Sequence, residues 1–196
     1  MIRVCLIIFA LFAAIPIGMS KEADPCAHDA TEMMQLSIEA FDKTPDSGWR
    51  TVGDIEGCEG TAADLIEAYR ARIEDHRRGL IHHEAQLRAA AGETEKALNL
   101  FDQLIEFKTD AANLAYYKAT RAFVARDRLA LEAARAELAA VPPPDGFLEG
   151  VERFKLKYPD MPEPIWPLNL DVVEGFLNCF DRPYREAYSD ECRDKD

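Results

Sequence analysis

The chain has 196 residues, of which 23 are basic and 36 acidic, with a formal net charge of −13 and 48% hydrophobic residues. The length fits one domain, or one domain with an appendage, and the apolar fraction is too high for a wholly disordered chain. The negative excess repels phosphate backbones and anionic lipid, which excludes a general nucleic-acid binder.

Residues 1–20 are expected to form a secretory signal. Arg3 supplies the positive start, residues 4–14 are an uncharged apolar run, and Pro16, Gly18 and Ser20 suit a cleavage region. The run is shorter than the ~20 residues of a membrane span, so no stable membrane insertion is expected after cleavage. Cys5 comes too early in the run for a lipoprotein. Losing Arg3 takes the mature charge from −13 to −14. Losing Cys5 leaves Cys26, Cys58, Cys179 and Cys192, an even set that predicts disulfides and a periplasmic (Gram-negative) or secreted location. Three pairings are possible. Cys26–Cys58 with Cys179–Cys192 is preferred, since one pair then lies near each end of the chain. A zinc site of all four thiolates is disfavoured because no C-x-x-C pair exists.

Helical spacing dominates the rest, and no segment alternates long enough for a sheet. A first helix is expected over 29–41, with Met33, Met34, Leu36, Ile38 and Phe41 apolar. Residues 44–48 break it, and 49–55 hold at most a short turn. Thr61 and Asp64 read as a capping box opening a helix to about residue 77, with Leu65, Ile66, Tyr69 and Ile73 on one face. Helices follow over 79–91, 93–108, 110–126 and 127–141. Pro142, Pro143 and Pro144 end the last of them. Eight of the eleven prolines lie at or beyond Pro142, so the composition shifts there. A helix over 147–158, an extended loop to Pro167 carrying Trp166, a helix over 170–180 capped by Asn169, and a last turn over 182–188 complete the chain. The expected units are therefore 1–20, a helical domain over 21–141 and a proline-rich helical cap over 142–196.

The helices over 79–141 carry a repeat. Ala85 matches Ala119, Ile81 matches Ala115, and Leu104 matches Leu138, each 34 residues apart. The first copy reads Ala85-x6-Gly92-x4-Ala97-x3-Phe101: small residues for close helix approach, glycine for the turn, a large residue between units. This resembles the tetratricopeptide repeat, a helix–turn–helix unit of 34 residues. In the second copy Arg126 stands at the turn glycine, Leu131 at the small alanine and Arg135 at the large apolar position. A one-residue shift in the turn would instead put Ala130 and Ala134 inward. The resemblance implies an all-α fold of antiparallel helical hairpins in a short array, closed by the C-terminal helical cap. It also implies a concave groove lined by the first helix of each unit, with His82, Gln86, Asn113, Tyr116 and Thr120 exposed in it. Of Tyr116 and Tyr117, one is expected to be core, because adjacent helical residues face different ways.

Catalytic motifs are missing: there is no G-x-S-x-G, no phosphate-binding glycine loop and no H-E-x-x-H. His76, His82 and His83 cluster but lack ligand spacing, and they read as surface histidines on a solvated helix, with no metal and no cofactor. Arg70, Arg72, Arg77, Arg78 and Arg88 are expected to pair with Glu67, Glu74, Asp75 and Glu84 at helical spacings. Ile165, Trp166, Pro167 and Tyr184 are expected to pack over the array. The expected function is a protein- or peptide-binding scaffold of the bacterial envelope. The rivals are an envelope hydrolase with an acidic cleft and an acidic inhibitor or immunity-type protein that blocks a basic partner.

Overall fold

The computed structural model describes residues 24–73, 78–107 and 109–193. The expected signal at 1–20 lies outside them, as do His76, Arg77, Glu74 and Asp75. Every regular element among the described residues is helical: α1 (Ala30–Gln35), a π-helical turn (Glu39–Lys43), α2 (Arg50–Gly53), α3 (Glu59–Ile73), α4 (Arg78–Ala90), α5 (Thr94–Glu106), α6 (Ala111–Val124), α7 (Arg128–Ala139), α8 (Phe147–Lys157), α9 (Leu170–Asn178) and α10 (Tyr184–Tyr188). None of these helices is long and apolar enough to cross a membrane.

The single helix expected over 29–41 is broken. Leu36 is extended, at φ −63° and ψ 146°, and the Tyr69 hydroxyl donates to its carbonyl at 2.7 Å. That tertiary bond satisfies a carbonyl the helix would otherwise use. Helix α3 begins two residues before the expected capping box, because the buried Cys58 carbonyl already accepts from Ala62 N–H at 3.0 Å. Asn169 does not cap α9 with its side chain; it sits in the left-handed region at φ 64°, which asparagine tolerates. Helix α9 ends at Asn178 rather than residue 180, just before the disulfide-bonded Cys179.

Helices α3 to α7 each pack on the next in the chain. Two turns in this run share one hydrogen-bond pattern. After α4, Gly92 N–H bonds to Ala89 O and Glu93 N–H to Arg88 O; after α6, Arg126 N–H bonds to Phe123 O and Asp127 N–H to Ala122 O. These are Schellman closures, and each of the two bonds recurs 34 positions on. Gly92 takes φ 75° and Arg126 φ 58°, so the arginine accepts a conformation that glycine adopts without strain. Its guanidinium donates to the carbonyls of Phe180 and Arg182, which gives an arginine there a packing role. The one-residue shift does not occur: Leu131, Ala134 and Leu138 are buried and Ala130 is exposed.

Two apolar clusters share α4. Leu80 and Leu87 join Phe41, Trp49, Ile66 and Tyr69 on the N-terminal side. Ile81, Ala85 and Ala89 join Phe101, Tyr116, Phe123 and Phe176 on the other. The C-terminal part folds back over the array. Helix α9 lies on α6 and α7, and α10 lies on α9 and α4. Phe123 stacks on Phe176 at 4.6 Å between ring centroids. Trp166 packs here too, with its Nε1–H donating to Val141 O at 2.8 Å, and Tyr184 is buried, but Ile165 is 79% exposed. Helix α8 contributes no buried residue.

The disulfides are Cys26–Cys58 and Cys179–Cys192, which fits an oxidising compartment outside the cytoplasm. The second closes α9 to the C-terminal turn across a separation of 13 residues. Replacing both of its cysteines by serine is expected to remove about 3 kcal/mol, read as a lower urea midpoint. It should also speed proteolytic cleavage beyond α9.

Candidate functional site

Helix α4 presents His83, Gln86, Leu87 and Ala90 along one face, at the i, i+3, i+4 and i+7 spacing of neighbouring helical residues. They form the floor of a cleft of about 370 Å³. One wall is α2 with Trp49, closed by Glu59 at the start of α3. The other wall is α10, with Tyr184, Arg185 and Tyr188. An N-terminal segment and the C-terminal α10 thus converge on α4.

Trp49 is placed by the glycine before it. Gly48 has φ 58°, and a Cβ there would come within 2.0 Å of the Phe41 carbonyl oxygen, so the chain turns tightly against the π-helical turn. This brings Asp42 under Trp49 and His83. One carboxylate oxygen of Asp42 accepts from Trp49 Nε1–H at 3.1 Å and lies 2.7 Å from His83 Nδ1. Burial raises the Asp42 carboxyl, but the hydrogen bond and charge of His83, the Trp49 N–H and Arg50 outweigh it, so the group ends below its ordinary value. An ionised carboxylate only accepts. His83 therefore carries its proton on Nδ1, and in the neutral ring Nε2 is left as the acceptor.

Glu59 is 6% exposed and pairs with Arg185. Tyr184 also lines the cleft, but its hydroxyl is buried beneath the surface without a hydrogen-bond partner of good geometry, with the Gln86 amide near it. Burial holds this phenol well above its ordinary value, so it stays a donor. Gln86 Nε2 makes only a long contact, 3.5 Å, to the Tyr116 hydroxyl.

Of the residues expected to line an open groove, four stay together and Asn113 separates from them. Gln86 lines the cleft. Tyr116 and Thr120 are buried, at 2% and 0% exposure, and Thr120 Oγ1 donates back to Tyr116 O at 2.9 Å. His82 is largely buried between them and the core, 5.7 Å from the Tyr116 ring and 6.4 Å from Phe101. His82, Gln86, Tyr116 and Thr120 therefore form one connected cluster, most of it beneath the surface. Asn113 lies apart, bonding Asp110 at the N-cap of α6 and lining a second, apolar hollow of about 460 Å³ beside Pro142, Trp166 and Leu168. The expected exposure fails because α9 and α10 cover the face of α4 and α6 that a bare array would leave open. For the same reason Tyr116 and Tyr117 are both buried: α6 is surrounded by α5, α7 and α9.

His82 and His83 are likewise not solvated surface residues. Burial, helped by the neighbouring His83, pushes the His82 imidazole down to about 3, and its Nε2 is buried without a partner. Among the described residues of the basic stretch, Arg70 pairs with Glu84, and Arg88 with Asp64, Glu67 and Glu93, between helices rather than within one. Among the described residues, no three His, Cys, Asp or Glu side chains group as metal ligands.

Asp42, Trp49, Glu59 and Tyr184 were not candidates in the sequence. Asp42 and His83 are 41 positions apart, and no local motif links them. Comparison with known proteins finds no matching family model, no matching curated protein and no matching solved structure.

Proposed function

We propose that this chain is a peptide- or protein-binding helical scaffold of the bacterial envelope, built on a short tetratricopeptide-like array and using the α2–α4–α10 cleft. The 34-residue recurrence of the Schellman turns supports the array. The observation that carries the binding reading is the cleft, where Trp49 and Tyr188 stand as aromatic walls beside the polar side chains of His83 and Gln86. Rigid aromatic contacts flanked by polar groups are the usual energetic centre of a recognition surface. The C-terminal cap covers the inner face of α4 and α6 and also supplies one wall of the site, so a partner meets the cap and the array together.

The test uses the chain from Lys21 onward, with Trp166→Phe making Trp49 the sole tryptophan reporter. A random peptide display library is selected against it, and the affinity of the selected peptides is read from Trp49 fluorescence. Gln86→Ala and Tyr188→Ala are each expected to weaken binding at least about tenfold, while Leu148→Ala on the exposed face of α8 leaves it unchanged. Failure to select any peptide, or equal affinity in the cleft variants, overturns the reading.

A further inference from the structure

We propose that this chain pairs with a second copy of itself through α8 and the proline segment after it, the two α8 helices lying head to tail. The surface shares no residue with the α4 cleft, so the inference does not rest on the binding reading. Six of the eight large hydrophobic side chains that stand exposed among the described residues lie between Leu148 and Leu168. Single exposed apolar residues are ordinary, but a cluster of them marks a contact surface. Here the cluster sits on a helix that adds no buried residue to the fold.

The surface is built by a chain reversal. The Trp166 ring meets Phe147 at 5.3 Å between centroids, and Glu163 pairs with Lys155. Residues 158–166 therefore run back along α8. Met161 and Glu163 each precede a proline, which holds them extended, and side chains of an extended chain alternate in direction. Trp166 turns in toward Phe147, while Met161, Glu163 and Ile165 turn out and are exposed. On the helix, Lys155 stands about two turns after Leu148 and so on the same side. Leu148, Met161 and Ile165 thus surround the Lys155–Glu163 pair. Leu156, 86% exposed, extends the apolar surface around the helix.

Charge selects the occupant. The whole chain carries −13, yet residues 147–168 hold four acidic and three basic side chains. Two acidic molecules can meet there with little repulsion, whereas an anionic lipid surface would face the full excess. The charges are also ordered along α8: Glu149 and Glu152 come first, then Arg153, Lys155 and Lys157. A parallel pair would set like charges together. A head-to-tail pair about a two-fold axis sets each acidic half against a basic half and opposes the helix dipoles. Among the described residues, no ion pair engages Glu149 or Arg153. They stand one turn apart on one side of α8, so each is free to meet the other from the second copy.

Sedimentation of the chain from Lys21 onward tests the pairing. At about 100 μM the wild type is expected at twice the mass of one chain, and a single-chain mass there overturns the proposal. Leu156→Glu is expected to raise the dimer dissociation constant at least about tenfold. Leu129→Glu, likewise exposed but on α7, should leave it unchanged. Equal dissociation constants for wild type and Leu156→Glu overturn the assignment of this surface. Glu149→Lys and Arg153→Glu should each weaken the dimer at least about tenfold, and their equimolar mixture should return to within about threefold of wild type. Only in the mixed dimer does every reversed charge meet its opposite. A mixture as weakly associated as its components overturns the head-to-tail arrangement. All four substituted residues are exposed, so circular dichroism should stay that of wild type and misfolding is separable from lost contact. Pelleting of a single-chain wild type with phosphatidylglycerol vesicles, abolished by Leu156→Glu, would give the surface to lipid and overturn the second copy as occupant.

Discussion

Arg88→Ala is expected to destabilise the fold by about 2–4 kcal/mol, the cost of truncating a fully buried side chain and losing its charge-assisted hydrogen bonds. The Arg88 side chain is 1% exposed, and its guanidinium lies 2.6 Å from Asp64, 2.8 Å from Glu67 and 2.7 Å from Glu93. Asp64 and Glu67 belong to α3, and Glu93 follows the turn after α4, so one cation ties three successive helices. The carboxylates sit near water, at 67%, 63% and 34% side-chain exposure, and keep most of their hydration. The cation does not, so its binding depends on their charges. Burial pushes the neighbouring Glu84 up despite its pairing with Arg70. Removing Arg88 deletes a favourable charge from that carboxylate as well, and leaves Asp64, Glu67 and Glu93 repelling one another around a cavity. Lysine cannot restore the arrangement, because a point charge does not reproduce the guanidinium fork. Arg88→Lys should therefore recover only part of the loss. Urea unfolding measures both, as a shift in midpoint with unchanged slope. A loss below about 1 kcal/mol would place Arg88 with ordinary surface pairs.

The legible part of this fold rests on local physics. Pro142 to Pro144 ended α7 as expected, since proline removes the donor a helix needs. The 34-residue matches placed the turns after α4 and α6, and the even cysteine set after residue 20 foreshadowed the two disulfides. The failures share a different cause. The break at Leu36 comes from a hydrogen bond with Tyr69, 33 residues away. The burial of Tyr116, Tyr117 and Thr120 comes from a C-terminal segment that returns to the middle of the array, and helical periodicity within α6 holds no trace of it. Arg88 was legible as a paired cation, and Glu67 and Glu84 were among the carboxylates expected for the stretch, but Asp64 and Glu93 become its partners only through the packing of successive helices. The candidate site was the least legible part. Gln86 alone of the expected groove residues lines the α4 cleft, and Asp42, Trp49, Glu59 and Tyr184 become neighbours only through the packing of α2, α3 and α10 on α4.

Lowering the pH from 7 to 4 is expected to cost the protein about 3 kcal/mol through His82 alone. The direction follows from the two states. In the unfolded chain the imidazole takes its ordinary value of 6.5, and in the folded chain burial moves it to about 3. Between those values the unfolded state binds a proton that the folded state refuses. The contribution to stability is therefore complete above pH 6.5, declines steadily as the pH falls toward 3, and is flat below that. His82→Leu keeps a side chain of similar bulk beside Phe101, Tyr116 and Tyr117 and abolishes the titration. At pH 7 it should lie within about 1 kcal/mol of wild type, because the buried Nε2 makes no hydrogen bond to lose. At pH 4 it should be the more stable protein. Glu84 works in the opposite sense, since a carboxyl raised by burial favours the folded state as acid is added. Asp42, lowered in the fold, loses stability with acid as His82 does. Both groups are present in wild type and variant, so the difference between the two isolates His82. Urea midpoints at pH 7 and pH 4 provide the measurement. If the gap between wild type and His82→Leu is the same at both pH values, His82 is not the buried neutral base its surroundings require, and α4 must let water or a proton reach it.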